Sequence, residues 1–419
     1  MQGQWVESVG ALLRTPGFRP YLAASVLART AESALAVLLG VAVYQASGSV
    51  LALGWLGLIQ AIPLIGLALF GGHVADRFDR RRLAIGARLM MAVLVAGMAA
   101  AFWLLPGQAL AALYVGAFLG GVVHAFSEPA LSGLEAQVVP RAQAVRAASV
   151  MGSVSRVFSL SAPVGFGFLY DGIGPAACYA ILAGLLALSS LVLTLGVPAR
   201  PMPAPTGPRP RMMENIAEGV RYVFSNQVLI GSMALDLFAV FFGGMAALLP
   251  VFAENLGWGS AGVGLLRGAI SAGGLLAMAL AVRFPPRRHA GIILHLAVAG
   301  FGVGVIVFAL SETFWISMAA VFFAGLCDGV NMVIRHAIVR LAAPEAMRGR
   351  VAAVRMVFIN STNELGEFES GVVAHWLGPV MATWGGGVIT LGVVVATAIL
   401  APKLRRLDLG AFERERERA

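Results

Sequence analysis

Residues 50–82 read VLALGWLGLIQAIPLIGLALFGGHVADRFDRRR, and this stretch decides the class of fold. The part before Asp76 contains no Asp, Glu, Lys or Arg, and it is longer than the roughly 20 apolar residues that span a bilayer core. A cluster of aspartates and arginines follows, and it ends at Arg82. An apolar run that ends in a basic turn predicts a transmembrane helix that stops at the membrane surface.

Apolar runs of this length recur along almost the whole chain. Of its 419 residues, 59% are hydrophobic and 12% are charged, whereas roughly 25% of the residues in a soluble domain are charged. The runs are rich in glycine and alanine, which lets helices pack closely in lipid. We therefore predict an all-α integral membrane protein with twelve transmembrane helices in a lipid bilayer. The predicted spans are 20–44, 50–71, 83–104, 109–133, 148–169, 175–196, 228–250, 261–282, 290–310, 314–336, 351–374 and 380–401.

The basic residues are distributed unevenly between the connections. The formal net charge of +9 would suit a nucleic-acid-binding protein. The placement of the basic residues distinguishes that class from a membrane protein. Most of the 30 lysines and arginines lie in alternate connections and in the two ends of the chain. The intervening turns carry none; they lie around Ser47, Gly107, Gly172, Glu254, Glu312 and Trp376. The positive-inside rule then predicts that both termini are cytoplasmic, and no nucleic-acid partner is expected.

An internal repeat divides the chain into two halves. Five residues that follow the second predicted helix recur after the eighth at one constant spacing: Ala75, Arg77, Phe78, Arg81 and Arg82 match Ala281, Arg283, Phe284, Arg287 and Arg288. We predict one six-helix bundle at 1–197 and another at 227–402. A cytoplasmic linker with an amphipathic helix joins them at 198–226, and a cytoplasmic tail follows at 403–419. Parallel repeats of this kind build transporters that hold their substrate between the halves.

Several motifs resemble those of one transporter family. The segment from Gly72 to Arg82 resembles the signature loop of the major facilitator superfamily between its second and third helices. Other stretches resemble its bacterial exporter branch, which includes enterobactin-type siderophore and macrolide efflux proteins: Ala234 to Val240, Gly264 to Arg267, Arg348 to Val351 and Asn363 to Gly371. The resemblance implies the major facilitator fold, a bacterial cytoplasmic (inner) membrane location and export by alternating access. The fourth helix departs from the drug-proton antiporters of the family, because it has no arginine from Tyr114 to Val123.

The predicted function is secondary active transport. We expect a proton-coupled exporter of a small organic molecule, such as a siderophore or a drug, that acts as a monomer. A metal-ion exporter and an uncoupled facilitator are alternatives, and a lipid-handling membrane protein or enzyme is an alternative of another class. The chain contains no G-x-x-x-x-G-K-[ST], H-E-x-x-H or G-x-S-x-G motif. We therefore predict no enzyme activity, no cofactor and no metal site.

Charged residues inside the predicted spans are the first candidates for function, because each costs at least about 2.5 kcal/mol at bilayer depth. Arg29 and Glu32 share one face of the first helix. A second set of matches has a spacing of 204 residues, two fewer than the first: Pro140, Arg146 and Ala148 match Pro344, Arg350 and Ala352. At this second spacing, Glu32 matches Asp236 in the seventh helix. Acids at matching positions suit a midplane site, and ion pairs that fix helix packing are the alternative. The predicted substrate-binding residues are Arg29, Glu32, Arg156, Asp236, Arg267, Asp328, Asn360 and Asn363.

A second group of residues suits proton coupling. His124 matches Asp328 at the second spacing of 204 residues, and Glu128 lies one turn beyond His124. Taken alone, His124 fits an interior hydrogen-bonded histidine somewhat better than a proton relay. On the eleventh helix, Asn360, Asn363, Glu364 and Glu367 follow the spacing of one helical face. Cation binding by these acids is an alternative. The predicted proton-coupling residues are Glu32, His124, Glu128, Asp236, Glu364 and Glu367.

The charged loop after the second helix is predicted to form a cytoplasmic gate. Its arginines and aspartates can bridge neighbouring helix ends, and such bridges can break and form as the halves move. The resemblance implies that Asp76 lies against the N-terminus of the eleventh helix, which the helix dipole favours. The predicted gate residues are Gly72, Asp76, Arg77, Arg80, Arg81 and Glu135.

Overall fold

The structure is a computed structural model that describes residues 10, 12–139, 143–199, 212–286, 288–342 and 347–411. Within these ranges only the backbone is described for residues 68–69, 72–73, 75–76, 145, 212–217, 342, 348–350 and 352–360. Three predicted site residues, Gly72, Asp76 and Asn360, fall in this second group. Their contacts lie outside the described part of the structure.

Every regular element in the described ranges is helical. The first half contains α1 (Phe18–Ser47), α2 (Val50–Arg77), α3 (Arg80–Leu104), a 3₁₀ turn (Pro106–Gln108), α4 (Ala109–Val138) and α5 (Ala144–Gly196). The remainder contains α6 (Met212–Ser225), α7 (Gln227–Phe242), a 3₁₀ turn (Met245–Leu248), α8 (Leu249–Asn255), α9 (Gly259–Arg283), α10 (Ala290–Leu310), α11 (Phe314–Ala342), α12 (Arg348–Leu377), α13 (Pro379–Leu400) and α14 (Pro402–Arg405). An all-helical membrane fold is therefore confirmed for the part of the chain that is described.

Ten helical segments within these residues are long and apolar enough to cross a membrane. One of them, Arg146–Gly196, has 51 residues, which at about 1.5 Å per residue is far longer than a bilayer core about 30 Å thick. The cause of this length is that two helices run together across a kink at Gly174, where φ is 82° and ψ is 169°. Only glycine adopts such angles readily. The kink falls between the predicted spans 148–169 and 175–196.

One predicted span has an interruption that its sequence pattern did not indicate. The run predicted as a single helix at 228–250 is α7, which ends at Phe242 and is followed by a non-helical Gly243, the 3₁₀ turn and α8. A Cβ at Gly244 would lie 2.7 Å from the Ser370 Oγ. The chain therefore leaves the regular helix at a point where it packs closely against α12.

The chain forms two compact units. The first comprises Met1–Gly48, Ile59–Pro205 and Gly259–Gly264. Within it α1 and α3 both pack on α5, and α3 also packs on α4. Its hydrophobic core contains Leu12, Phe18, Tyr21, Leu134 and Leu193, all at most 2% exposed.

The second unit comprises Ser49–Leu58, Thr206–Trp258 and Leu265–Ala419. Here α10 packs on α11 and α13, and α7 packs on α12 and α13. Its core includes Leu229, Leu235, Leu294 and Leu404, which are fully buried. The division of the chain at the 198–226 linker stays a prediction.

Candidate functional site

A cavity of about 520 Å³ lies inside the first unit, where α1, α3, α4 and α5 surround it. This volume is within the range of about 300 to 1,000 Å³ that is typical of small-molecule sites. Six charged residues line it: Arg29, Glu32, Arg88, Glu128, Glu135 and Arg156. Tyr21 and several serines add hydroxyl groups. Such a lining makes the cavity polar within an otherwise apolar bundle, and charged groups in a membrane protein need polar surroundings.

Arg29 is the centre of an ion-pair network in this cavity. Its Nη2 donates a hydrogen bond of 3.1 Å to Glu128 Oε1, and its Nη1 lies 3.7 Å from Glu32 Oε2. The Arg29 side chain is 47% exposed and that of Glu128 is 38% exposed. The arginine thus connects two carboxylates on two helices. Any proton or ligand that neutralises one carboxylate changes the charge balance of the other.

Other residues predicted from the sequence also reach this region. The half-buried His124 lies on α4 within electrostatic range of Glu32. Arg156 lies on α5, is exposed and lines the cavity, as does Glu135 on α4. Among the residues that the structure describes, no carboxylate lies within ion-pair distance of Arg156. Its guanidinium is therefore available to a ligand.

Arg88 is a residue of the site that the sequence interpretation did not single out. It lies on α3, is 4% exposed and lines the same cavity. Its Nη1 donates a 2.6 Å hydrogen bond to Ser189 Oγ, and this hydroxyl donates to the Ala24 carbonyl at 2.7 Å. The signal that could have identified it is a single arginine within the apolar sequence of α3, on the same face as Ala84 and Ala92.

In the second unit, the predicted acids of α7 and α11 lie in a buried polar cluster. Asp236 is 6% exposed and forms an ion pair through its Oδ2 with Nη1 of Arg335. The Nδ2 of Asn331 donates to Asp236 Oδ1 at 3.0 Å and to Asp328 Oδ1 at 3.4 Å. Asp236 and Asp328 are site residues that the sequence predicts, whereas Arg335 and Asn331 are partners that the structure adds. The cluster joins α7 to α11.

The two units share a pattern at these positions. In the first unit, Arg29 of α1 pairs with an acid of α4, and in the second, Asp236 of α7 pairs with a base of α11. The signs of the charges are reversed between the units. An ion pair between equivalent helices is therefore common to both repeats, although the individual residues are not.

The acids of α12 lie against a close helix contact in the second unit. A Cβ at Gly57 of α2 would lie 2.8 Å from the Glu367 Cβ and 2.9 Å from the Glu364 carbonyl oxygen. Only glycine permits this approach of α2 to α12. Arg267 of α9 lies within electrostatic range of both Glu364 and Glu367. Asn363, on the same helix, is exposed.

The arginines of the charged loop bind the ends of neighbouring helices in the first unit. Arg80 Nη1 donates to the Gly133 carbonyl at 3.5 Å, and Arg81 Nε donates to the Val197 carbonyl at 2.6 Å. Carbonyls at the C-terminal end of a helix such as α5 attract cations. Arg77 is exposed. The loop thus ties α3 to α4 and α5.

Another carboxylate of the first unit caps a helix. Asp171 Oδ2 accepts a hydrogen bond of 3.0 Å from the backbone N–H of Ala261, and its Oδ1 accepts one from the Ser260 hydroxyl. Both donors belong to the first turn of α9. Close packing accompanies the cap, because a Cβ at Gly167 would lie 2.7 Å from the Ser260 carbonyl oxygen.

Comparison with known proteins gives consistent results. The family model described as Major Facilitator Superfamily matches residues 21–361. Enterobactin exporter EntS of Escherichia coli O1:K1 / APEC and its counterpart in Escherichia fergusonii are each 22% identical to this chain over 407 residues, which are 96% of both chains.

Solved structures resemble the fold at lower identity. The nucleoside transporter NupG has a TM-score of 0.69 at 13% identity and covers 93% of this chain and 99% of its own. A POT family transporter in complex with 5-aminolevulinic acid has a TM-score of 0.71 at 13% identity, with coverage of 93% and 97%. At this identity the likeness shows the fold alone.

Proposed function

The chain belongs to the major facilitator superfamily, and from this membership we propose that it is a proton-coupled exporter of a small organic molecule, such as a siderophore or a drug. It is a multi-pass membrane transporter. The observation that carries the export assignment is the similarity to enterobactin exporters, which extends over 96% of both chains. The charged cavity of the first unit supports it, because an apolar drug alone would need no such lining.

The proposed topology has twelve spans in the bacterial cytoplasmic membrane, with both termini in the cytoplasm. The kink at Gly174 supports counting Arg146–Gly196 as two spans. The 30-residue α12 supplies a further span despite its glutamates. The first six spans form a bundle at 1–197 and the last six a bundle at 227–402. The linker at 198–226 and the tail at 403–419 then lie on the cytoplasmic side.

Substrate binding is assigned to the charged groups that have room for a ligand. In the first unit these are Arg29, Glu32 and Arg156 around the cavity. Arg156 can contact a negatively charged group, since no described carboxylate pairs with it. In the second unit we assign Arg267 and Asn363, together with Asn360. Asp236 and Asp328 act with them through the buried cluster at α7 and α11.

Protons are proposed as the coupling ion, and the acids of α12 as their first site. Glu364 and Glu367 lie on the part of α12 that packs closely against Gly57, through the Glu364 carbonyl oxygen and the Glu367 Cβ. A change in the separation of α2 and α12 would therefore move both residues. Arg267 is the nearby cation that a charged carboxylate would attract. The second proposed set of proton-coupling residues lies in the first unit and comprises Glu32, Glu128 and His124.

The cytoplasmic gate is proposed to be the loop after α2. Arg80 and Arg81 connect α3 to α4 and α5, and such bridges between helix ends can break and form as the helices move. We assign Gly72, Asp76 and Arg77 to the same gate. Glu135 of α4 is its proposed acidic member. We propose that a single chain is the functional unit.

Transport into liposomes tests the proposal. Purified protein is reconstituted, the lumen is made acidic relative to the outside, and uptake of enterobactin is measured. Proton antiport predicts uptake that depends on the gradient and stops when a protonophore is added. Liposomes without protein are the control.

Three other outcomes would contradict the proposal. Uptake at the same rate with and without the protonophore would indicate an uncoupled facilitator. Movement of manganese or zinc ions, but of no organic solute, would indicate a metal-ion exporter. Turnover of a lipid without movement of any solute would remove the protein from the class of exporters.

A further inference from the structure

Arg88 is a buried cation whose charge no described acid balances by direct contact. It is 4% exposed, and its only hydrogen bond within the described structure goes to the Ser189 hydroxyl, at 2.6 Å. Its Nε has no hydrogen-bond partner. An arginine carries five N–H donors and keeps its charge in proteins. A neutral hydroxyl therefore leaves most of its hydrogen-bonding capacity unused.

The position of Arg88 is fixed by its neighbours. The Ser189 hydroxyl accepts a hydrogen bond from Arg88 Nη1 and donates one of 2.7 Å to the Ala24 carbonyl. These two bonds connect α3, α5 and α1. A side chain that is held in one orientation loses little entropy when a ligand binds. Arg88 is therefore a preorganised hydrogen-bond donor, unlike a flexible arginine on the protein surface.

Two of the three carboxylates that line the cavity lie against a different base, Arg29. Glu128 accepts the 3.1 Å hydrogen bond from Arg29, and Glu32 lies 3.7 Å from the same guanidinium. Glu32 lies within electrostatic range of Arg88, yet the two side chains are not in ion-pair contact. A ligand in the cavity can supply the missing negative charge.

We propose that Arg88 is the anchor that recognises an anionic oxygen group of the transported molecule, such as a carboxylate. The inference rests on the proposed function and names the substrate class for the same cavity: an organic anion of moderate size, whose charged end lies against α3. The cavity of about 520 Å³ leaves space for the rest of such a molecule. A planar guanidinium suits a carboxylate because it can donate two parallel hydrogen bonds.

Binding of a matched pair of probes tests this role. We would measure the affinity of the purified protein in detergent for 2,3-dihydroxybenzoate and for 2,3-dihydroxybenzamide by isothermal titration calorimetry. The two differ only in whether the group is a carboxylate or a neutral amide. The wild type is expected to bind the carboxylate at least tenfold more tightly, since a hydrogen bond to a charged group contributes about that much. In Arg88→Gln this preference is expected to disappear, with the affinity for the amide unchanged.

Two variants serve as controls. Arg19→Gln removes an exposed arginine of α1 that does not line the cavity, and it should keep the wild-type preference. If Arg88→Gln is not recovered folded, Arg88→Lys replaces it. A lysine keeps the charge but has no planar pair of donors, so the carboxylate affinity should fall about three- to tenfold while the amide affinity is retained.

The inference is overturned if Arg88→Gln keeps the preference for the carboxylate within threefold of the wild type. It is overturned equally if the wild type shows no preference, or if Arg88→Lys binds the carboxylate as tightly as the wild type. Because the assay contains no membrane gradient, its failure leaves the transport proposal standing. Conversely, a protein that binds the carboxylate through Arg88 but moves no solute in liposomes would refute only the proposed function.

Discussion

The buried pair of Asp236 and Arg335 allows a quantitative prediction about what holds the second unit together. Their side chains are only 8% and 10% exposed. Removing one partner of a buried ion pair leaves the other charge uncompensated and costs about 3 to 5 kcal/mol. Arg335→Met leaves Asp236 with the 3.0 Å hydrogen bond from Asn331, so we expect a loss near the lower end, about 3 kcal/mol of unfolding free energy.

The double variant Asp236→Leu with Arg335→Met should recover most of this loss. An apolar pair of similar volume replaces a buried ion pair at little or no cost, so its stability should lie within about 1 kcal/mol of the wild type. Unfolding of the purified protein in mixed micelles, titrated with SDS, measures the four corners of this cycle. Arg82→Met is the matched control, because its 3.8 Å ion pair with Asp79 involves an arginine side chain that is 85% exposed. Such a surface pair contributes roughly 0 to 1 kcal/mol.

Two results would refute the reasoning about the pair. One is a loss in Arg335→Met that is no larger than in the surface control. The other is a double variant that is as unstable as the weaker single variant. If instead the double variant is stable but transports nothing, the pair serves the transport cycle and not only the packing of α7 on α11.

Three further predictions concern other contacts. Gly57→Val places a side chain against the backbone of α12. We expect it to lower the unfolding free energy by about 1 to 3 kcal/mol and to reduce transport. The control is Gly97→Ala, at a position with open space around it, which should resemble the wild type in both the SDS titration and the liposome uptake assay. Asp171→Ala removes the cap of α9 and should lower the unfolding free energy by about 0.5 to 2 kcal/mol in the same SDS titration; an unchanged value would show that the cap is not formed in solution. Glu364→Gln or Glu367→Gln should abolish gradient-driven uptake of enterobactin into liposomes while solute exchange without a gradient persists, and gradient-dependent uptake in both variants would remove the two residues from the coupling site.

Much of the fold could be predicted, because the sequence patterns that indicate membrane helices are local. A run of apolar residues defines a membrane helix without reference to any other part of the chain. The boundaries differed by a few residues, as between the predicted span 380–401 and the helix Pro379–Leu400. The break after Phe242 was not predicted, since it depends on the approach of α12 at Gly244. The resemblance to enterobactin exporters is confirmed by the comparison over almost the full chain.

The candidate site was predictable only as a set of unusual residues. Charges inside apolar runs are visible in the sequence, and Arg29, Glu32, Glu128 and Arg156 are indeed brought to one cavity. Their partners were not visible. Arg88 is visible as a single arginine in the apolar run 83–104, but the sequence does not show that its hydrogen-bond partner in the described structure, Ser189, lies about a hundred positions away.

The amino-acid sequence by itself determined that this chain is a helical membrane protein and where most of its helices run, because the hydrophobic effect and the backbone's need for hydrogen bonds in lipid act on each segment separately. Only the tertiary structure decided which charges are paired and which face open space. Asp236 is closed off by Arg335, while Arg88 and Arg156 line a cavity. The physical reason is that pairing depends on distances of a few ångströms between side chains on different helices, and the packing of those helices sets these distances.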